Sequence, residues 1–136
     1  MPFNVVSGND YYGNGRSAGQ RPDSVPAINP YIRNMDTQVW LNTAAFSVTQ
    51  VAAQKRFGNL GFNALTGPSA FTLDSGLHKT FSITERQKLT FRLEAFNTLN
   101  HTVFSNPVAT VNNPNFGRIT SASSPRLYQL ALKYVF

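Results

Sequence analysis

The sequence predicts an all-β protein, an antiparallel meander of about four strands joined by long loops. Segments in the middle and at the end of the chain alternate apolar with polar residues, which is the period of a β-strand. Charged residues make up 13% of the chain, about half the usual share. The intervals between the alternating segments are rich in Gly, Pro and Asn, which favour turns and loops.

The first predicted strand covers residues 1–8, and a long loop covers residues 9–69. Prolines and glycines interrupt the loop and no period is sustained across it, although residues 43–46 and 51–53 could each form a helical turn. A loop of this length is unusual in a compact soluble domain. The predicted loop therefore argues against a compact soluble domain.

Two strands that should pair follow at residues 70–83 and 88–97. In both, the apolar positions fall mostly on odd numbers. Directly opposed residues of a β-ladder share a face, so opposed residues should sum to an even number. The connection should therefore contain three or five residues, or include a bulge.

A second loop is predicted at residues 98–125, where we expect any order to come from local packing of Phe104, Phe116 and Ile119. The last strand is predicted at residues 126–136, long enough to cross a membrane when tilted, which takes about 9–11 residues. Its even-numbered face, ending on an aromatic residue, resembles the terminal signal that the assembly machinery of outer-membrane barrels recognises. The residues of this face, which we also expect to contact lipid, are Tyr128, Leu130, Leu132, Tyr134 and Phe136.

The loop lengths fit a transmembrane barrel, because short periplasmic turns alternate with long external loops in that architecture. The short turn near residues 84–87 would lie inside and both long loops outside. We therefore expect the strands to be the last ones of a large outer-membrane β-barrel of Gram-negative type. The first thirty residues show no apolar run typical of a secretory signal, so we expect the chain to be the carboxyl-terminal part of a longer protein.

Several short runs resemble the carboxyl-terminal barrel segment of TonB-dependent outer-membrane receptors, of the Oar-like kind that carries a carboxypeptidase-regulatory-like domain. The resemblance implies a transport protein whose partners are outer-membrane lipid, the barrel assembly machinery, and the rest of the receptor barrel with its plug. It implies contact with TonB only through the absent amino-terminal part, and a complete barrel of about 22 strands. The runs lie at 57–61, 65–68, 73–74, 81–85, 91–97, 100–101, 115–120 and 124–126.

Polar residues on the central strands are expected to line an aqueous lumen: Asp74, His78, Arg92 and Glu94. Glu94 should pair with Arg92 two residues away on the same face. His78 and His101 lack metal-site spacing, the chain contains no cysteine, and no nucleophile has a recognisable base beside it. We expect no catalytic residue, metal or cofactor.

The net charge of +6 could indicate a nucleic-acid partner, but the basic residues are scattered, so we expect none. Two alternatives to the barrel stay open. One is a secreted or surface β protein that self-associates through open sheet edges and has no transport activity. The other is a small soluble basic β domain. The sequence does not identify a transported ligand.

Overall fold

The computed structural model describes residues 1–17 and 19–136. They form two compact units, which we call the loop unit (Met1–Ser69 with Phe104–Ala122) and the sheet unit (Ala70–Val103 with Ser123–Phe136). The elements in chain order are β1 (Pro2–Phe3), β2 (Asp23–Ser24), β3 (Tyr31–Asn34), β4 (Val39–Leu41), a 3-10 helix (Thr43–Ala45), β5 (Phe46–Ser47), α1 (Thr49–Gln54), β6 (Leu65–Thr66), β7 (Ser75–Ser82), β8 (Lys88–Phe96) and β9 (Leu127–Val135).

The sheet unit is an antiparallel meander in the order β7-β8-β9. Ser75 pairs with Ala95 and Ser82 pairs with Lys88, so every opposed pair sums to an even number. Five residues connect the two strands. The predicted pairing and the odd length of the connection are both confirmed, and the three long strands lie within one to five residues of their predicted bounds.

Between β8 and β9, by contrast, opposed residues sum to an odd number. Leu89 pairs with Tyr134 and Phe96 pairs with Leu127, so odd-numbered residues of β8 lie opposite even-numbered residues of β9. One face of the sheet therefore combines the odd positions of β7 and β8 with the even positions of β9. These are the positions at which each strand is mostly apolar, with Ser75 and Lys79 of β7 as the exceptions.

The loop unit corrects the prediction that residues 9–69 form one long loop. Three antiparallel two-stranded ribbons form there, pairing β1 with β6, β2 with β5, and β3 with β4. The two predicted helical turns coincide with the 3-10 helix and α1. The unit also has its own hydrophobic core: Phe3, Val5, Leu41, Ala45, Phe46, Leu60, Leu65 and Phe116.

The strand predicted at residues 1–8 is also corrected. Only Pro2–Phe3 is a strand, and it pairs with β6 in the loop unit instead of joining the sheet. The sheet unit consequently has three strands. The fold class stands, because every sheet in the described residues is antiparallel.

Residues 98–125 are not a separate loop, since Phe104–Ala122 belongs to the loop unit. Val6 donates a backbone hydrogen bond to Ala109 at 2.9 Å, and Trp40 donates one to Gly117 at 2.9 Å. Phe116 packs edge-on against Phe46, with ring centroids 5.5 Å apart. The expectation of purely local packing is therefore wrong for Phe116.

A buried amide organises the turn-rich segment after β1. Gln20 is almost fully buried, and its side-chain oxygen accepts the backbone N–H groups of Tyr11 at 2.9 Å and Tyr12 at 3.3 Å. Its side-chain nitrogen donates to the Asp10 carboxylate and to the backbone oxygen of Arg16. Buried polar groups must be satisfied in this way, so one side chain holds both ends of the segment.

An ion pair closes the other side of the loop unit. Arg56 donates to both carboxylate oxygens of Asp23, at 2.9 and 2.7 Å, and the backbone N–H of Asn59 adds a third bond at 2.9 Å. The hydrogen bonds from Arg56 are the main cause that holds the pKa of Asp23 below its ordinary value, against partial desolvation.

We expect Gly58→Ala to destabilise the loop unit. A methyl group at Gly58 would collide with the backbone oxygens of Arg21 and Pro22, and Gly58 is held there by a 3.1 Å hydrogen bond to Arg21. The free energy of unfolding should fall by about 1–3 kcal/mol, measured by urea denaturation of the chain in micelles. Gly61→Ala, where the nearest atom would lie at 3.4 Å, is the control. Equal stability of the two variants would contradict this account.

We also expect Asp23→Asn to alter the acid dependence of stability. The folded pKa of Asp23 is lowered, so its contribution is present above about pH 4, the unfolded value, and is lost as pH falls through the folded pKa. The free energy of unfolding of the variant should be lower by about 1–2 kcal/mol at pH 7, a modest loss because the Arg56 side chain is 38% exposed and solvent screens the ion pair. Below about pH 4 the free energy of unfolding should change less with pH in the variant than in the parent. Fluorescence of Trp40 during urea unfolding measures both effects. Asp36→Asn, at an exposed aspartate, should keep the parental acid slope.

Candidate functional site

One face of the sheet unit is mostly apolar across all three strands, with Ser75 and Lys79 on β7 as its polar positions. Leu93 lies between Leu77 of β7 and Leu130 of β9, and Phe91 lies opposite Leu132. Leu130 and Leu132 are each 67% exposed, so no part of the described chain covers them. The face continues along the ladder through Phe81, Leu89, Ala95, Tyr128 and Tyr134.

Aromatic residues lie at both ends of this face. Tyr128 pairs with Ala95 at one end, and Tyr134 pairs with Leu89 at the other. Phe136 follows β9, is 90% exposed, and lies with its ring centroid 5.9 Å from that of Tyr134. The nine residues of β9 span about 30 Å along the strand. When tilted, such a strand matches the roughly 25 Å apolar band of outer-membrane barrels, which aromatic girdles flank.

The opposite face is polar over the middle of the sheet. Arg92 donates from Nε to Glu94 Oε1 at 2.8 Å, and its Nη2 bonds the same oxygen, which confirms the predicted pairing of these two residues. Arg92 is 60% exposed, and exposed ion pairs contribute about 0–1 kcal/mol. The pair therefore balances charge on the exposed polar face more than it stabilises the sheet.

His78 lies directly opposite Arg92 on this polar face. A shallow hollow forms beside them because the small side chain of Ala131 is the neighbour of Arg92 on β9. Thr80 and Thr90 share a hydrogen bond of 3.1 Å across the ladder. The hollow is lined by His78, Thr80, Thr90, Arg92, Ala131 and Lys133.

Asp74 differs from the other predicted lumen residues. It precedes β7, and its carboxylate accepts the backbone N–H of Asn97 at 2.8 Å, just after β8 ends. The neighbouring Thr98 donates its backbone N–H to Leu73 at 2.7 Å. The hydrogen bond gives Asp74 a structural role at the end of the β7–β8 pair, just outside the strand that was predicted to contain it, and its exposure to a lumen stays a prediction.

His101 lies in a turn, as expected. The Asn97 side chain accepts the His101 backbone N–H and donates to its backbone oxygen, both at 3.0 Å. Within residues 1–17 and 19–136, no group of three acidic, histidine or cysteine side chains is arranged to hold a metal ion. In the same residues no helix has the length and apolar character needed to cross a bilayer.

Thr80, Thr90 and Lys133 also lie on the polar face, where the period of each strand places them, but sequence reasoning did not single them out as lumen residues. It also missed a group of side chains in the loop unit, where Arg33 lies over the rings of Tyr31 and Trp40. No local period marks that group, because its members come from two strands of a bulged hairpin.

Comparison with known proteins agrees with the two-faced sheet. The family described as outer membrane beta barrel domain matches residues 1–129. No curated protein and no solved structure matches the chain. Since the match covers nearly the whole sequence, the chain belongs to the outer membrane beta barrel domain family.

Proposed function

We propose that the chain supplies strands and external loops to the barrel of a TonB-dependent receptor in the outer membrane of a Gram-negative cell. The observation that carries this proposal is the mostly apolar face of β7, β8 and β9, interrupted on β7 by Ser75 and Lys79, which stays exposed while the opposite face is polar over its middle. The role is transport across the membrane as part of a larger barrel, without catalysis by this chain.

Lipid is the partner that suits the apolar face. Soluble monomers rarely expose contiguous apolar patches larger than a few hundred Å². Leu77 on β7 and Leu130 and Leu132 on β9 are all more than half exposed on either side of β8, so they belong to one patch and are not scattered surface leucines. Hydrocarbon would cover it without any further protein layer.

Further strands are needed beside β7 and β9. A flat sheet of three strands leaves backbone N–H and C=O groups unpaired along both edges, and such groups are not tolerated in hydrocarbon. Pairing with the remaining strands of a receptor barrel would satisfy them. The plug and the contact with TonB then belong to other parts of that receptor.

The connections support an orientation in the membrane. β7 begins, β8 ends and β9 begins at one end of the sheet, while the five-residue connection from Ile83 to Gln87 lies at the other. Short turns of outer-membrane barrels face the periplasm. On this basis the end of the sheet at which β7 and β9 begin faces the outside of the cell.

The resemblance to TonB-dependent receptors adds the finer assignment. The run at 91–97 forms most of β8, and the run at 115–120 contains the buried Phe116 and Ile119. Both runs therefore have structural roles in this chain. The two runs therefore support a shared barrel structure with that receptor class more than they support a shared ligand.

A second candidate function is self-association without transport, in which the open edges of β7 and β9 pair with other copies of the chain. Regular fibres or rings formed without detergent would favour it. A requirement for detergent or lipid, with the protein otherwise monodisperse, would favour the barrel.

We expect Leu132→Arg to lower the amount of assembled protein sharply. Leu132 lies opposite Phe91 on the apolar face, and a charged residue near the bilayer midplane of such a strand costs about 2–4 kcal/mol. Gln129→Arg is the matched control, because Gln129 lies opposite Glu94 on the polar face. The measurement is heat-modifiable gel mobility in outer-membrane fractions. Equal sensitivity to both substitutions would remove the main support for the membrane assignment.

Deletion of Phe136 tests the proposed assembly signal, formed by Tyr128, Leu130, Leu132, Tyr134 and Phe136. Phe136 is 90% exposed and contacts mainly Tyr134, so its loss should change fold stability little. Assembly in cells should nevertheless fall, while refolding of the same variant into detergent should match the parent. Normal assembly in cells without Phe136 would refute the signal.

A further inference from the structure

The hairpin of β3 and β4 contains a bulge that directs an arginine toward two aromatic rings. Tyr31 pairs with Leu41 and Asn34 pairs with Val39, so Ile32 and Arg33 together lie opposite the single residue Trp40. Bulges change the direction of a side chain and often lie next to functional sites. Here the redirected side chain is that of Arg33.

The backbone of Arg33 adopts φ +55°, in the left-handed region. This region suits glycine and, to a lesser degree, asparagine, whereas a long side chain disfavours it. An arginine at such a position costs free energy that Gly or Asn would not. Strained backbone positions of this kind cluster at functional sites.

Two aromatic rings hold the guanidinium. Its central carbon lies 4.5 Å from the Tyr31 ring centroid and 5.6 Å from that of Trp40. The polar tips of both rings are fixed by one residue, since Trp40 Nε1 donates to the Thr66 backbone oxygen at 3.0 Å and Tyr31 Oη accepts the Thr66 N–H at 2.9 Å. The rings and the arginine therefore form a preorganised group.

The positive charge of Arg33 is not neutralised inside the described chain. The two ion pairs of residues 1–17 and 19–136 use Arg56 and Arg92, and Asp36 in the same hairpin pairs with neither. Arg33 is exposed, whereas Tyr31 and Trp40 are half-buried against the core. The N–H donors of the Arg33 guanidinium group are thus exposed to solvent beside an apolar wall formed by the rings of Tyr31 and Trp40.

We propose that Arg33, Tyr31 and Trp40 form a binding site for the oxyanion of a ligand with an apolar body. A guanidinium fork matches the two oxygens of a carboxylate or phosphate group. The parts of the Tyr31 and Trp40 rings that stay exposed beside the guanidinium offer apolar surface for the rest of the ligand. The site lies wholly within the loop unit, so it does not depend on the membrane assignment.

The test uses the full chain in detergent micelles and the fluorescence of Trp40, the single tryptophan of the sequence. Cyclohexanecarboxylate and cyclohexyl phosphate are the probes, and cyclohexylmethanol and inorganic phosphate are their controls. We expect a saturable change in emission with at least one ring-bearing anion, and the arm that binds more tightly identifies the anionic group. Equal affinity for the neutral alcohol, or no saturable change with either anion, would overturn the proposal. Inorganic phosphate binding as tightly as the ring-bearing anions would remove the role of the apolar wall.

Arg33→Asn separates binding from structural support. Asparagine tolerates the left-handed backbone, so the variant should unfold at the same urea concentration as the parent or a higher one, while affinity falls by about tenfold or more. Arg33→Lys should retain part of the affinity because it keeps the charge without the fork. Arg16→Gln, at an exposed arginine elsewhere in the loop unit, controls for net charge. Unchanged affinity in Arg33→Asn, or an equal loss in Arg16→Gln, would refute the site.

Discussion

The hydrogen-bonded ladder of β7, β8 and β9 is the constraint on which the rest of the sheet depends. A strand in hydrocarbon has no water to satisfy its backbone, so each N–H and C=O group must find a partner on a neighbouring strand. The ladder also decides which side chains share a face. A slip of one residue between β8 and β9 would bring Leu130 and Leu132 beside Arg92 and Glu94. The two-faced character is therefore a property of the register as much as of the residues.

The long strands could be predicted because each one alternates by itself. The pairing of β7 with β8 followed from the short connection between them, and the odd apolar positions of both strands demanded an odd number of connecting residues, which is five. The pairing of Arg92 with Glu94 followed from the same period. Asp74 has an even number, like the residues of the polar face, but the alternating pattern of the sequence begins before Ser75, where β7 starts. The period does not show where a ladder ends and a side chain turns to bond the backbone of Asn97.

The loop unit could not be predicted in this way. Its strands are two to four residues long, so none completes a recognisable period. Its core takes one or two residues from each of many elements. The hydrogen bonds of Gln20 and Asp23 support the unit, and their partners are distant in sequence or are backbone groups. The left-handed backbone of Arg33 leaves no mark in the sequence either, because arginine is not a residue associated with that conformation. Long segments with scattered apolar residues and no sustained period can therefore hold a packed core.

The loop unit is assembled from two stretches of chain that the β7–β8 hairpin separates. Val6 exchanges backbone hydrogen bonds with the stretch around Ala109 and Val111, more than a hundred residues away, and Trp40 reaches Gly117. Such distant contacts must close a long loop before they contribute, and proteins dominated by them fold slowly. The core around Phe116 thus cannot be completed until the chain beyond the hairpin has been made and delivered. Maturation of the loop unit is in this way tied to the order of synthesis, and a chain stalled at the hairpin would leave Phe46 without its aromatic partner Phe116 and that side of the core open to proteolysis.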